Sequence, residues 1–136
     1  MSSLDDIPLR IEEGQWETGN LQSILTEIQH ALEQLQKHQQ EHSIDLRAMP
    51  FAPGEEEQLE KLLGHGEVQV ELDALGKSTL YETAVSGVWK VTHFNTEGQV
   101  VAKLIEITAI PKIICSPGEE MQNSIDRMKE LILLNN

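Results

Sequence analysis

The chain has 136 residues, 39% of them hydrophobic and 4% aromatic, and its 23 acidic against 10 basic side chains leave a formal charge of −13. That is one domain's length with a near-average apolar fraction, so a folded core is expected rather than disorder. The negative balance repels phosphate backbones and anionic membrane surfaces, which argues against counterion-driven nucleic-acid binding. The lone Cys115 excludes an internal disulfide, a CxxC pair or an iron–sulfur cluster held by this chain's own thiolates.

Residues 1–18 carry five acidic side chains against Arg10, with Pro8 and Gly14 interrupting any long element, and are expected to form a mobile acidic arm ahead of a single domain over residues 19–136. The start lacks the basic and apolar regions of a secretory leader, and no stretch of about 18 apolar residues follows, so no membrane insertion is expected and the cytoplasm is the expected location. From Asn20, read as an N-cap, Leu21, Ile24, Leu25, Ile28, Leu32 and Leu35 recur at helical spacing. Ile44 through Pro53 holds two prolines and reads as an extended connector packed on the core. A short helix then begins near Pro53-Gly54, with Glu55, Glu56 and Glu57 at the positive end of its dipole and Leu59, Leu62 and Leu63 facing inward, until Gly64 stops it.

The period changes next. Glu67-Val68-Gln69-Val70-Glu71-Leu72 alternates strictly and predicts a strand, followed after a turn by strands over 78–85 and 88–94 with a kink or bulge at Ser86-Gly87 between them. Asn95-Thr96-Glu97-Gly98 is a hairpin loop leading to the most apolar strand, over 100–110 and closed by Pro111. Connections this short forbid parallel crossovers, so the expectation is an α+β fold in which a four-stranded antiparallel meander packs with three helices in the order α-α-β-β-β-β-α. The last helix, after Pro117-Gly118, places Met121, Ile125, Met128 and Ile132 on one stripe that should pack on the sheet or on the first helix.

Chemistry-bearing residues are sparse. His38 and His42 have the spacing of two metal ligands on one helix face, but Gln39 stands where a zincin glutamate would be and no third ligand lies nearby, so exposed histidines at a helix end are the simpler reading and no metal or cofactor is expected. His65, between two glycines, reads as a solvated turn residue, His93 as a partly buried strand position and Cys115, after Ile113-Ile114, as a small packed side chain. Glu82 and Glu106 form the one carboxylate pair suited to acid–base work. Glu106 shares a strand face with Leu104 and is expected to have a raised pKa, although ion pairs with Lys90 or Lys103 would explain both glutamates equally well. Trp89, in Gly87-Val88-Trp89, is either the core anchor, the reading favoured, or an interface residue; Trp16 is the better docking candidate.

Ile44-Asp45-Leu46 followed by Pro50, Leu62-Leu63-Gly64-His65-Gly66-Glu67-Val68, Glu82-Thr83-Ala84 with Gly87-Val88-Trp89-Lys90-Val91, and Ile105-Glu106-Ile107 ahead of Ile110-Pro111 occur in an order that resembles the C-terminal-type conserved domain of the HupH/HyaF hydrogenase expression proteins. The resemblance covers residues 42 to 115 most strongly. It implies a non-enzymatic cytoplasmic accessory protein, a chaperone or scaffold in the maturation of nickel–iron uptake hydrogenases. Its implied partners are the iron–sulfur small-subunit precursor, with its basic twin-arginine leader, and other maturation proteins. Longer members carry two copies of this unit where this chain has one, and the His65 slot is often acidic in relatives. Gly64, Gly66, Glu67, Glu82, Gly87, Trp89 and Glu106 are the candidate partner-binding positions; an exposed groove near Trp89, Gly64 and Gly66 would favour that role, and burial of all three would make them scaffold. A surface including Glu55, Glu56 and Glu57 is the expected receptor for a basic segment. The alternatives are a small acid–base enzyme using Glu82 and Glu106, which requires one pocket holding both, and a protein-interaction module, a homodimer for example, pairing through Leu25, Ile28, Leu32 and Leu35.

Overall fold

A computed structural model describes residues 19–73 and 75–136. The arm expected over residues 1–18, with Trp16, lies outside the described residues. The first helix, α1, spans Asn20–His38 and starts one residue earlier than its sequence suggests: Gly19, with φ of 85°, is the N-cap, while Asn20 donates its side-chain amide to the carbonyl of Pro50 at 2.8 Å. Gln39 turns left-handed with φ of 51° and ends the helix, so His38 and His42 share no helix face. His42–Asp45 forms a strand, β1, followed by a single 3-10 turn, Leu46–Ala48, and by the helix α2 over Glu55–Leu63.

Four further strands follow, β2 (Gln69–Asp73), β3 (Lys77–Glu82), β4 (Val88–Phe94) and β5 (Val100–Ile107), and the chain ends in α3, Gly118–Leu134. The sheet therefore has five strands, not four, in the order β1-β5-β4-β3-β2 with every pairing antiparallel. Strands β2 to β5 are the expected meander. The addition is β1, whose residues Ile44 and Asp45 fall in the stretch expected to be an extended connector packed on the core; Ile44 sits opposite Ile105 and Ser43 opposite Glu106. Four residues give too short an alternation to announce a strand, and only the edge of β5, some sixty positions away, supplies its hydrogen-bond partners. β5 also stops at Ile107: Thr108 still donates its backbone N–H to the carbonyl of Gly87 at 2.9 Å, but the Gly87 N–H goes to the Glu82 carboxylate rather than back to Thr108.

The sheet is apolar on both faces. On one, Ile44, Val88, Ile105 and Ile107 meet Leu21, Ile24, Ile28 and Ala31 of α1 and Leu59 and Leu63 of α2. On the other, Leu80, Trp89 and Val91 form a second buried cluster with Val70, Leu72, Leu104 and Ile114 against it. Leu25, Leu32 and Leu35 pack against the first cluster, so the stripe considered for self-pairing through α1 is engaged inside its own domain. The reverse holds for α3: none of its residues is buried, and Met121, Ile125, Met128, Leu131 and Ile132 all stand exposed, against the expectation that this stripe would pack on the sheet or on α1. Among the described residues no helix is long and apolar enough to cross a membrane.

Candidate functional site

The family-like segments converge at one end of the sheet and are occupied there in holding backbone to backbone. Leaving α2, the chain runs beside the end of β3: Gly66 N–H donates to the carbonyl of Glu82 at 2.8 Å, Glu82 N–H to that of Val68 at 3.0 Å and Ala84 N–H to that of Leu63 at 2.9 Å. The approach is so close that a Cβ on Gly66 would lie 2.7 Å from the carbonyl oxygen of Thr83, a contact that side chains do not make. The buried Thr83 hydroxyl bonds the carbonyl of Val88 at 2.9 Å across the β3–β4 connection. Glu82 accepts the N–H of Gly87 at 3.1 Å, and Gly87 turns there with φ of 87°. The kink expected at Ser86-Gly87 is thus the tight link between two antiparallel strands.

Trp89 is 4% exposed and its indole N–H donates to the carbonyl of Thr108 at 3.1 Å, as a buried indole requires. Gly64 is half-buried, while Gly66 and Glu67 are exposed, so the three positions chosen as a groove marker split between interior and surface. His65 is exposed as expected, but stacks on Tyr81 with ring centroids 4.1 Å apart. Burial and the nearby Glu60 carboxylate together push the Tyr81 phenol above its usual range.

Cross-strand register sets Ser43, Glu106, Trp89 and Glu82 in one row on the same face of the sheet. The two glutamates stand two strands apart, roughly 10 Å between backbones, with the indole between them. Lys90 and Lys103 lie on the opposite face, where Lys90 reaches Glu60 at 3.0 Å and Lys103 reaches Glu56 at 2.7 Å, so neither lysine neutralises Glu82 or Glu106. Glu55 is 2% exposed and accepts the N–H of Ala52 at 2.8 Å, tying the chain before α2 to its first turn; of the three glutamates expected to face a basic partner, Glu57 alone is exposed. Cys115, expected to pack, is exposed.

A cavity of about 300 Å³ opens beside β1, lined by Glu41, His42, Ser43, Glu106 and Thr108 and by residues of the segment that follows β5. It does not include Glu82, so the pocket demanded by a Glu82–Glu106 acid–base pair is not this one. Burial raises the pKa of Glu106, with Glu41 adding to the rise and His93 opposing it. Glu41 moves the other way, held ionised chiefly by the hydroxyl of Thr108 and further by the Lys112 ammonium. Glu41, Ser43, Thr108 and Lys112 escaped the reading of the sequence because they meet only when β1 is laid on β5; no local spacing signals that. A larger cavity, about 570 Å³, lies at the β2–β3 and β4–β5 turns, but there Glu71 and Lys77 pair with each other at 3.1 Å. Among the described residues no three His, Cys, Asp or Glu side chains converge to hold a metal ion.

Comparison with known proteins adds what the geometry leaves open. Residues 19–134 match the family described as HupH hydrogenase expression protein, C-terminal conserved region. The hydrogenase expression/formation protein HupQ of Azotobacter chroococcum mcd 1 is 31% identical over 114 residues, which cover 82% of this chain and 40% of HupQ. The hydrogenase-1 operon protein HyaF of Escherichia coli strain K12 is 27% identical over 92 residues, covering 68% of this chain and 32% of HyaF. The chain thus spans well under half the length of these curated relatives. A solved structure, hydrogenase expression protein HupH from Thiobacillus denitrificans ATCC 25259, superposes with a TM-score of 0.81 at 36% identity, covering 85% of this chain and 97% of that one. The chain belongs to the HupH hydrogenase expression protein family, of which it carries the C-terminal conserved region.

Proposed function

We propose that this protein serves hydrogenase maturation by holding another polypeptide, without catalysis of its own, and that the polypeptide is the precursor of the iron–sulfur small subunit. The observation that carries the reading is α3. Met121, Ile125, Met128 and Ile132, each at least half exposed, form a stripe about three turns long that the described residues leave uncovered. A contiguous apolar surface of that kind marks a site of association. The names of the relatives, expression and formation proteins of hydrogenases, supply the context. The charge of −13 adds long-range attraction to a basic leader segment.

The test is recovery of the immature small subunit from a hydrogenase-expressing host by tagged full-length chain. It is expected with the wild type and lost with Ile125→Gln combined with Met128→Gln. No recovery by the wild type overturns the function, and equal recovery by the double variant overturns the role of α3. Affinity unchanged from low to high salt removes the electrostatic contribution.

A second reading comes from the spacing of the same stripe. Four-three-four steps from Met121 to Ile132 are those of a two-stranded coil, so α3 of a second copy is the alternative occupant. Sedimentation of the purified chain separates the two: a dimer that Ile125→Gln with Met128→Gln dissolves favours self-pairing, and a concentration-independent monomer excludes it.

A further inference from the structure

We infer that the cavity beside β1 receives one arginine or lysine side chain from a partner polypeptide, seated against Glu106. The inference rests on the reading of this chain as one that holds another polypeptide, and it names a contact that α3 does not make.

Most of the ionisable groups around the cavity already have partners. His42 is hydrogen-bonded through Nε2 to Glu27 at 2.6 Å, and His93 through Nδ1 to the hydroxyl of Ser78 at 2.7 Å. Glu41 accepts the hydroxyl of Thr108 and draws Lys112 to 3.6 Å. Among the ionisable groups Glu106 is the exception, a half-buried carboxylate with no hydrogen bond or ion pair to any described residue. A partly desolvated carboxylate beside a second one is an acceptor site that a cation improves twice, by filling its lone pairs and by cancelling the repulsion between the two. Lys112 does not fill this role, since its side chain is 87% exposed and turned to Glu41.

The walls select among cations. The half-exposed Ile113 lines the same space, giving a methylene stem apolar contact while its charged head reaches the carboxylates. A volume near 300 Å³ is at the small end for ligand sites and suits one long side chain rather than a cofactor. The planar fork of a guanidinium can bridge two carboxylates, so arginine is preferred to lysine.

The experiment is an NMR titration of the full chain with a short, otherwise uncharged peptide carrying one arginine, and with matched peptides carrying lysine, citrulline or glutamine. Saturating shifts are expected at the amides of Ser43, Glu106 and Thr108 with arginine and, more weakly, with lysine. Citrulline, which keeps the shape and loses the charge, should bind at least about tenfold more weakly. Glu106→Gln should weaken the arginine peptide by a similar factor, whereas Glu97→Gln, at an exposed hairpin tip, should leave it unchanged. Ile113→Trp, which fills the space from an exposed position, should also abolish binding and keeps the test decisive should Glu106→Gln not fold. Equal binding of citrulline, equal loss with Glu97→Gln, or shifts scattered over the surface would overturn the inference in favour of diffuse electrostatics. Glu106-dependent binding of spermidine without binding of the arginine peptide would overturn the polypeptide as its source. Recovery of the small-subunit precursor undiminished by Glu106→Gln but lost with the α3 variant would leave the proposed function standing without this contact. Peptide binding without any precursor recovery would do the opposite.

Discussion

The junction of Gly66, Thr83, Gly87 and Trp89 and the helix Gly118–Leu134 are opposites in what they do with their surroundings. At the junction every distinctive residue is used up internally: Gly66 makes room for the Thr83 carbonyl, Glu82 takes the Gly87 N–H and the Trp89 indole takes the Thr108 carbonyl. Along α3 no residue is buried, and an apolar stripe is left with no described neighbour to cover it. The sequence features that identify the family most clearly are therefore largely those that fix its geometry. The exposed apolar stripe lies in a helix whose sequence, apart from its period, is unremarked. Changes at the junction should cost stability, and changes on α3 should cost association alone.

The largest expected effect is that of Trp89→Ala, which empties a buried indole site and orphans the Thr108 carbonyl; about 3–5 kcal/mol should be lost in denaturant unfolding. Trp89→Phe keeps most of the packing and removes the hydrogen bond, so about 1–3 kcal/mol is expected, and a cost as large as that of alanine would mean that the bond rather than the bulk anchors the junction. Gly66→Ala should cost about 2 kcal/mol or more, because the obstacle is backbone and cannot swing aside; a neutral result would show that the two segments can separate without penalty. Ile125→Gln with Met128→Gln should stay within about 0.5 kcal/mol of the wild type, both being exposed on a helix that tolerates glutamine. A large destabilisation by this pair would show that α3 is packed in solution and would erase the contrast.

The smallest effect is a matter of sign. Burial raises the folded-state pKa of Glu106, so ionising it opposes folding: the penalty is absent below the unfolded carboxylate pKa and complete above the folded one. Stability attributable to this group therefore falls as pH rises through that window, whereas that of Glu41, whose pKa is lowered by the Thr108 hydroxyl, is lost as pH falls. Glu106→Gln should leave the melting temperature at about pH 7 equal to or slightly above that of the wild type. A clear fall would mean that the carboxylate has a favourable partner in solution.

Much of the fold was readable before any coordinates. The alternation at Val68, Val70 and Leu72, the stripe from Leu21 to Leu35 and the glycine stop at Gly64 each depend on nearby residues, and local physics suffices for them. What escaped depends on distant partners. His42-Ser43-Ile44-Asp45 becomes a strand only because β5 offers an edge, Glu55 is buried because Ala52 needs an acceptor, and α3 declares an apolar face without declaring what lies against it. The raised pKa of Glu106 was foreseeable from Leu104 on the same strand face, but its lack of a lysine partner was not. Lys90 and Lys103 point away because pleating sends alternate residues to opposite sides, which places both toward α2. The candidate partner-binding positions run from Gly64 to Glu106, and the cavity that offers an unfilled acceptor shares only Glu106 with them.

Thr108 links the two halves of the molecule that the variants above would separate. Its carbonyl receives the indole, its N–H reaches Gly87, and its hydroxyl holds Glu41 at the cavity wall. Any occupant that tugs on Glu41 must therefore disturb the electronic surroundings of a tryptophan one residue's width away. The protein carries its own optical gauge of occupancy: in a Trp16→Phe background, a change in emission maximum on adding a cationic peptide would report filling directly, with no label attached.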